Sequence, residues 1–177
     1  MKIAILRYGH RDIRDYRVTS HCCLVARAFG AEKIIVEGNK DKSIKETVQG
    51  VNKNWGKGIE IEFTNSWKKT LKEYKKNGFF SVHLTMYGLP LQKEIAKIRK
   101  HKKILIIIGS QKVVGEVYRL ADMNISVTQQ PHSEIAALAV TLDKIQKGKE
   151  LEKKFKGAKL RIVPQSHGKK VEKPKKQ

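Results

Sequence analysis

The sequence predicts an α/β protein whose parallel sheet carries helices on both faces. Short apolar runs rich in β-branched residues alternate with longer segments of helical period, which is typical of this fold class. Residues 104–108 read ILIII and are apolar at every position, as expected of a strand covered on both faces. A chain of 177 residues is also long enough to bury one sizeable core.

Six runs have the length and composition of strands. They are residues 3–7, 33–37, 59–63, 79–84, 104–108 and 124–127. The fifth run is expected near the centre of the sheet, because it alone has no polar position that would face water.

Helices are predicted between these strands. The first should begin at Ser20, a residue type that favours N-caps, and end before Gly30, a residue type favoured just past helix ends. Others are predicted over residues 41–52, 67–76 and 91–100. After Pro131, apolar residues recur at steps of three and four from Ile135 to Ile145, so the last helix should pack an apolar stripe.

The composition changes after Gly148. Residues 1–147 are predicted to form the α/β domain, and residues 148–166 a C-terminal extension with a short β-hairpin around Gly157-Ala158. The basic tail, residues 167–177, has too little apolar content to fold alone and is expected to be disordered.

The charge balance indicates a polyanionic partner. The chain has 38 Lys and Arg against 17 Asp and Glu, a formal net charge of +21 and a pI near 10.0. Such an excess favours nucleic acid binding. The alternative is the charged surface of a salt- or heat-adapted protein, but that adaptation usually adds Glu along with Lys.

The two cysteines indicate a reducing compartment. Cys22 and Cys23 are adjacent, which is a poor geometry for a disulfide, so both are expected to be reduced and buried. Together with His10 and His21 they match no zinc spacing, and no metal site is expected. The first residues turn charged after four apolar ones, and no run can span a bilayer. We therefore expect a cytoplasmic protein without membrane association.

Three segments at predicted strand ends are candidates for ligand binding, because open parallel sheets bind ligands beyond the carboxyl ends of their strands. They are LTMYGLP (84–90), GSQKVVGEVY (109–118) and VTQQPHSE (127–134), and none carries a Walker or dinucleotide motif. Gly109 would let a ligand approach the backbone, or it simply ends a strand. Likewise, the PHSE stretch from Pro131 to Glu134 either contributes to ligand binding or only begins a helix.

A fourth segment, RYGHRDIRDYRVTSH (7–21), concentrates arginines ahead of the first predicted helix. Arg7, Arg11, Arg14 and Arg17 would suit bidentate phosphate contacts. The alternative is a solvated loop in which Asp12 and Asp15 form salt bridges with these arginines.

Three stretches together carry a family resemblance. GHRDIRDYRVTSH, VHLTMYG and IIIGSQKVVGEVYRLADMNISVTQQPHSEIAALAV resemble the archaeal tRNA ribose 2′-O-methyltransferases that modify the T-loop cytidine at tRNA position 56. These enzymes belong to the SPOUT class, and the similarity extends through residues 1–145. It implies a deep trefoil knot, a homodimer, S-adenosylmethionine held in the knot, and tRNA as substrate.

The resemblance also implies site residues. By position, S-adenosylmethionine would contact Leu84, Gly109, Ser110, Gln111, Lys112, Val113, Val127, Thr128, Gln129, Gln130, Pro131, His132, Ser133 and Glu134. Ribose methylases of this class have an arginine near the 2′-hydroxyl, usually close to an asparagine and glycines. RDYRVTSH lacks that asparagine-glycine context, so Arg14 and Arg17 both remain candidates.

Methyl transfer to a ribose needs a positioned hydroxyl and removal of its proton. Arginine stays protonated, so Arg14 or Arg17 is expected to act electrostatically or to grip a phosphate. Histidine is the residue type best suited to act as a base near neutral pH, so His21 is a candidate base, or else it caps the first helix. Two other functions fit the same sequence: a basic RNA-binding α/β protein without catalysis, and a SPOUT enzyme that methylates an RNA base.

Overall fold

A six-stranded parallel sheet forms the frame of the computed structural model, which describes residues 1–109 and 112–174. Its strands are β1 (Lys2–His10), β2 (Lys33–Gly38), β3 (Glu60–Thr64), β4 (Phe80–Pro90), β5 (Lys103–Gly109) and β6 (Met123–Ser126). Their order across the sheet is β3-β2-β1-β5-β4-β6. All pairings are parallel, and β5 lies between β1 and β4. The predicted fold class and the inner position of the fifth strand are confirmed.

Among the described residues, six α-helices cover the two faces of this sheet, and a short 3-10 helix (Lys149–Glu152) follows the last of them. The α-helices are α1 (Asp12–Ala28), α2 (Lys42–Trp55), α3 (Trp67–Lys76), α4 (Leu91–Ile98), α5 (Gly115–Leu120) and α6 (Glu134–Gln146). Apolar side chains of α1, α2, α4 and α6 form one core cluster, and those of α3 and α5 form the other. Helix α5 was not predicted, because six residues are too short to show a helical period. No helix among the described residues is long and apolar enough to cross a membrane.

Local side-chain caps explain where several helices begin. Asp41 accepts hydrogen bonds from the backbone N–H groups of Ser43 and Ile44 at the start of α2, at 2.8 and 3.3 Å. Ser66 and Ser133 cap α3 and α6 in the same way. Each cap satisfies backbone donors that the first turn of a helix leaves unpaired.

Helix α1 begins eight residues earlier than predicted. Arg11 is its N-cap, and the Asp15 carboxylate accepts hydrogen bonds from the backbone N–H of Arg11 at 3.2 Å and from its Nε at 2.9 Å. Ser20 and His21 therefore lie in the middle of the helix, and neither caps it. Arg14 and Arg17 lie on the first turns of α1, so their expected position in a loop is wrong.

Strand β4 also differs from the prediction, because it continues to Pro90. Leu84 and Leu89 both pair with Ile125 of β6, so residues 85–88 form a bulge inside the strand. Gly88 crosses β6 so closely that a Cβ atom there would lie 2.4 Å from the Ile125 backbone nitrogen. LTMYGLP is thus a bulged strand end and not a loop after the strand.

The C-terminal hairpin is present, but it turns later than predicted. Strands β7 (Arg161–Val163) and β8 (Lys170–Glu172) pair antiparallel, so the turn spans residues 164–169 and not Gly157-Ala158. Pro164 ends β7, and Gly168 has a positive φ of 82° that suits a turn. Strand β8 lies within the tail that was expected to be disordered. Residues 175–177 of that tail lie outside the described residues.

Candidate functional site

A cavity of about 560 Å³ opens at the carboxyl ends of β4, β5 and β6, a volume in the range of small-molecule sites. Most of its lining comes from the three segments singled out in the sequence and from the first half of α1, and β4 and α6 add His83 and Ala137. The lining residues are Arg14, Asp15, Val18, His83, Leu84, Thr85, Met86, Tyr87, Gly109, Val113, Tyr118, Val127, Pro131, His132, Glu134 and Ala137. The fold therefore brings the three candidate segments together at one edge of the sheet.

The residues named as cofactor contacts divide into three groups. Those that line the cavity are Leu84, Gly109, Val113, Val127, Pro131, His132 and Glu134. Others lie in the same loops without lining it, and these are Lys112, Thr128, Gln129, Gln130 and Ser133. Ser133 instead caps α6. Ser110 and Gln111 lie outside the described residues.

The three catalytic candidates also occupy different positions. Arg14 lines the cavity, together with Asp15 and Val18 on neighbouring positions of α1. Arg17 and His21 are exposed on the same helix and do not line the cavity of their own chain. Of the three catalytic candidates, Arg14 is thus the one that lies at the cavity of its own chain.

Arg7 is buried beneath this edge of the sheet and forms an ion pair with Glu134. Its side chain is fully buried, its Nη2 lies 3.2 Å from Glu134 Oε1, and its Nη1 donates to the Tyr8 carbonyl at 2.9 Å. The pair ties β1 to the first turn of α6. Arg7 is therefore unavailable for phosphate contacts, contrary to the sequence-based expectation.

Arg11 is also held inside the chain. Its Nε lies 2.9 Å from Asp15 Oδ2 in an i, i+4 pair. Burial raises the pKa of Asp15, but the hydrogen bonds and charge of Arg11 outweigh it and leave that pKa below its ordinary value. The alternative prediction, that the aspartates of this segment form salt bridges with its arginines, is thus confirmed for Arg11.

His83 presents an unpaired acceptor at the cavity. Asn124 Nδ2 donates to the Tyr118 carbonyl at 2.8 Å. The Asn124 Oδ1 atom therefore faces His83 Nδ1 at 2.9 Å and accepts a hydrogen bond from it. Burial lowers the pKa of His83, which keeps the ring neutral. With the proton on Nδ1, Nε2 is a buried lone pair that has no hydrogen-bond partner among the described residues.

Several cavity residues were not named individually as site residues in the sequence analysis, although some lie inside the candidate segments. They are Asp15, Val18, His83, Thr85, Met86, Tyr87, Tyr118 and Ala137. His83 is the most informative of them, because it directly precedes Leu84 in a predicted strand. A buried polar residue at a strand end was a usable signal, since such groups need partners.

The cysteines are as predicted. Cys22 and Cys23 are free and fully buried in α1. Burial raises the pKa of each thiol to about 12, so both stay protonated and unreactive at neutral pH. No cluster of three or more His, Cys, Asp or Glu side chains suited to a metal occurs within residues 1–109 and 112–174.

Several solved structures that share this fold are RNA methyltransferases, some of them described as SpoU or TrmH enzymes. The A. aeolicus TrmH/SpoU tRNA modifying enzyme aligns with a TM-score of 0.61 and 17% identity, over 84% of this chain and 75% of that one. The SpoU methyltransferase AviRb from Streptomyces viridochromogenes, in complex with AdoMet, aligns with a TM-score of 0.61 and 12% identity, over 82% and 56% of the two chains. The fold is therefore that of the SpoU/TrmH class.

Sequence comparison defines the family within that class. The family model described as "tRNA ribose 2′-O-methyltransferase, aTrm56" matches residues 55–172. A tRNA (cytidine(56)-2′-O)-methyltransferase from Thermococcus kodakarensis is 52% identical over 173 residues, which cover 96% of each chain. This chain belongs to the aTrm56 family of tRNA ribose 2′-O-methyltransferases, and the resemblance seen in the sequence is confirmed. The cofactor of this family of methyltransferases is S-adenosylmethionine.

The Arg7–Glu134 pair makes a prediction about stability. Glu134→Gln removes the counter-charge of a fully buried guanidinium, and we expect it to lower the free energy of unfolding by about 2–3 kcal/mol, below the usual cost of breaking a fully buried pair because Glu134 is partly exposed. Glu116→Gln, which breaks the exposed Lys68–Glu116 pair, should cost under about 1 kcal/mol. Urea unfolding measures both. Equal losses would contradict the importance of the buried pair.

Proposed function

We propose that this protein transfers the methyl group of S-adenosylmethionine to the ribose 2′-hydroxyl of cytidine 56 in tRNA. The observation that carries the proposal is the cavity at the carboxyl edge of the sheet, in a chain of this family. The net charge of +21 supports an RNA substrate, because phosphate contacts dominate such binding. We place the protein in the cytoplasm, where tRNA is modified.

The cavity residues fit this cofactor. Leu84, Val113, Val127 and Ala137 offer apolar surface for a flat purine, and the Nε2 lone pair of His83 can accept a hydrogen bond from an amino or hydroxyl group of an adenosyl moiety. Removing this buried lone pair from water is costly unless a donor pairs with it. When bound, S-adenosylmethionine supplies an electrophilic methyl group on a sulfonium.

Asp15 and Glu134 add negative charge to the cavity lining. Both carboxylates already face a guanidinium, Arg11 for Asp15 and Arg7 for Glu134. Their positions are therefore fixed before any ligand arrives, which lowers the entropic cost of binding one. We assign them to orienting the cationic sulfonium end of the cofactor.

The two candidate arginines are suited to different tasks. Arg14 lines the cavity and would place a positive charge beside the reacting oxygen, where charge develops as the proton leaves. Arg17 is exposed and forms no ion pair with any residue that the structure describes. We assign Arg17 to the tRNA, through the phosphate next to the methylated ribose or through the hydroxyl itself, at a site that a second subunit would complete.

A homodimer is part of this proposal. Large apolar side chains are exposed on α1, on the second half of β4 and on α6, and these are Tyr16, Tyr87, Leu89 and Val140. Tyr87 is 76% exposed, so a second subunit that covers it would remove apolar surface from water. We also infer that β6 and α6 pass through a trefoil knot, which the close crossing of Gly88 over β6 supports.

Labelled S-adenosylmethionine and an unmodified tRNA transcript test the main proposal. The label should enter one ribose, and the phosphodiester after that ribose should resist alkali and ribonucleases that use the 2′-hydroxyl. A transcript with 2′-deoxycytidine at position 56 is the matched control and should take up no label. Absent incorporation, or a label on a base, would contradict the proposal.

The role of His83 is testable without turnover. His83→Phe should weaken S-adenosylmethionine binding by about three- to tenfold in calorimetry, because one hydrogen bond contributes about 0.5–1.5 kcal/mol. His101→Phe is the control. Because His101 stacks on Phe80 and does not line the cavity, this variant should bind S-adenosylmethionine with unchanged affinity. Unchanged affinity in His83→Phe would remove His83 from the cofactor site.

Alanine substitutions at the three α1 candidates should give distinct results. Arg14→Ala should lower turnover by about 100-fold, as expected when a transition-state contact is lost, and should also weaken cofactor binding. Arg17→Ala should lower turnover while the cofactor affinity stays unchanged, since Arg17 does not line the cavity. His21→Ala should retain turnover. Full activity in both arginine variants would show that the active site is placed wrongly.

A further inference from the structure

The segment that leads into the C-terminal hairpin is attached to the body of the protein. Phe155 packs on the Arg27 guanidinium, 4.4 Å from its carbon to the ring centroid. Arg27 in turn donates to the carbonyls of Trp55 and Gly56 at 2.9 and 2.6 Å, at the end of α2. The segment before the hairpin is thus held by a buried cation that also caps a helix.

Backbone contacts hold the same segment along its length. Lys57 donates to the carbonyl of Lys156 at 3.0 Å, and the N–H groups of Lys159 and Leu160 both donate to the Asn54 carbonyl. Gly56 has a φ of 90°, and a Cβ atom there would lie 2.6 Å from the Phe155 carbonyl oxygen. The chain is therefore held against the body of the protein up to Leu160, the residue before β7.

The hairpin itself is open to solvent. Its two strands have three residues each, and Ile162 and Val171 lie opposite one another in the ladder with exposures of 62% and 53%. Directly paired residues share one face of a hairpin, so these side chains form an exposed apolar pair. An isolated two-stranded hairpin is marginally stable in water, which favours a partner that covers this face.

The charge around this pair identifies the kind of partner. Residues 153–173 contain eight basic side chains against one acidic side chain, Glu172, and Glu172 pairs with Lys170 at 3.1 Å. The basic residues are exposed, and they are Lys153, Lys154, Lys156, Lys159, Arg161, Lys169, Lys170 and Lys173. Two like-charged hairpins would repel each other, whereas a phosphate backbone complements them.

The position of this surface separates it from the cavity. The extension is anchored on the carboxyl-terminal ends of α1 and α2, at the edge where the strands begin. The cavity lies at the edge where the strands end, and the nine-residue β1 puts about 30 Å between the two edges of one chain. A folded tRNA is longer than this separation.

We propose that the hairpin and the basic segment before it form a second docking surface for tRNA, which binds the phosphate backbone away from the methylated nucleotide. The cations contact phosphates, and Ile162 and Val171 pack on sugars or an unstacked base between them. The inference rests on the proposed tRNA substrate and adds to it a contact that raises affinity without touching the reacting atoms.

The test removes three charges from this surface. In the full-length protein, the variant Lys159→Gln/Arg161→Gln/Lys173→Gln alters exposed side chains that form no ion pair with a described residue. Its affinity for unmodified tRNA, measured by fluorescence anisotropy, should fall by roughly tenfold near 0.15 M salt, and the slope of log K against log salt should decrease by about two to three. Turnover at saturating tRNA and the affinity for S-adenosylmethionine should not change.

The matched control removes equal charge from the opposite face of the sheet. Lys69→Gln/Lys72→Gln/Lys76→Gln on α3 should retain most of the affinity and most of the salt slope. Equal losses in the two triple variants would overturn the proposal, and so would an unchanged affinity in the hairpin variant. A lower mass of the hairpin variant in light scattering would also overturn it, because the hairpin would then be a subunit contact. If the wild-type protein failed to methylate tRNA, the proposed function would be wrong. The tRNA affinities of the two triple variants could still be compared and would still test the docking surface.

Discussion

The guanidinium of Arg7 is the constraint on which the shape of the cavity depends. Arginine cannot shed its proton, so a fully buried Arg7 requires an opposite charge within reach. Glu134 supplies that charge, and it is the first residue of α6. Because Arg7 is fixed in the middle of the sheet, between β5 and β2, the start of α6 is fixed with it. The loop from Val127 to Ser133 must then pass over the carboxyl edge, where it forms one wall of the cavity.

The glycines at this edge let the backbone segments come together. Gly88 crosses β6 where any side chain would meet the backbone of Asn124 and Ile125. At Gly109, a Cβ atom would lie 2.0 Å from the Val113 Cγ2 atom, so only glycine allows Val113 to fold back onto the strand end. Both positions have little freedom to accept another residue, because the neighbouring atoms belong to backbone or to a short branched side chain.

Much of the fold could be predicted from periodicity, and the errors have clear physical origins. The strand at residues 104–108 was evident because every position is apolar, and the last helix because its apolar residues share one stripe. The start of α1 was missed because RDIRDYR has almost no apolar face, and the pairing of Arg11 with Asp15 that supports its first turn leaves no apolar period in the sequence. The bulge in β4 was read as a loop because its pairing partner, Ile125, lies some forty residues further along the chain.

The candidate site was predictable to a similar extent. Parallel strands end at one edge, so the three ligand-binding segments could be expected to converge. The position of the proton on His83 could not be predicted, because it depends on the Asn124 amide and the Tyr118 carbonyl. These groups come near His83 only in the folded chain. The proposed contribution of a second subunit to the arginine site is equally unpredictable, because a single sequence has no local pattern that indicates how subunits assemble.

The anchoring of Phe155 on Arg27 also redefines where the compact unit of this protein ends. By composition the α/β domain ends at Lys147. A chain cut there would nevertheless lose the Phe155 ring over Arg27 and the backbone that lies close to Gly56. Arg27 would stay bonded to the end of α2 but would face water on one side. A minimal folded fragment should therefore retain the chain through Leu160, and a fusion partner is best joined beyond the hairpin.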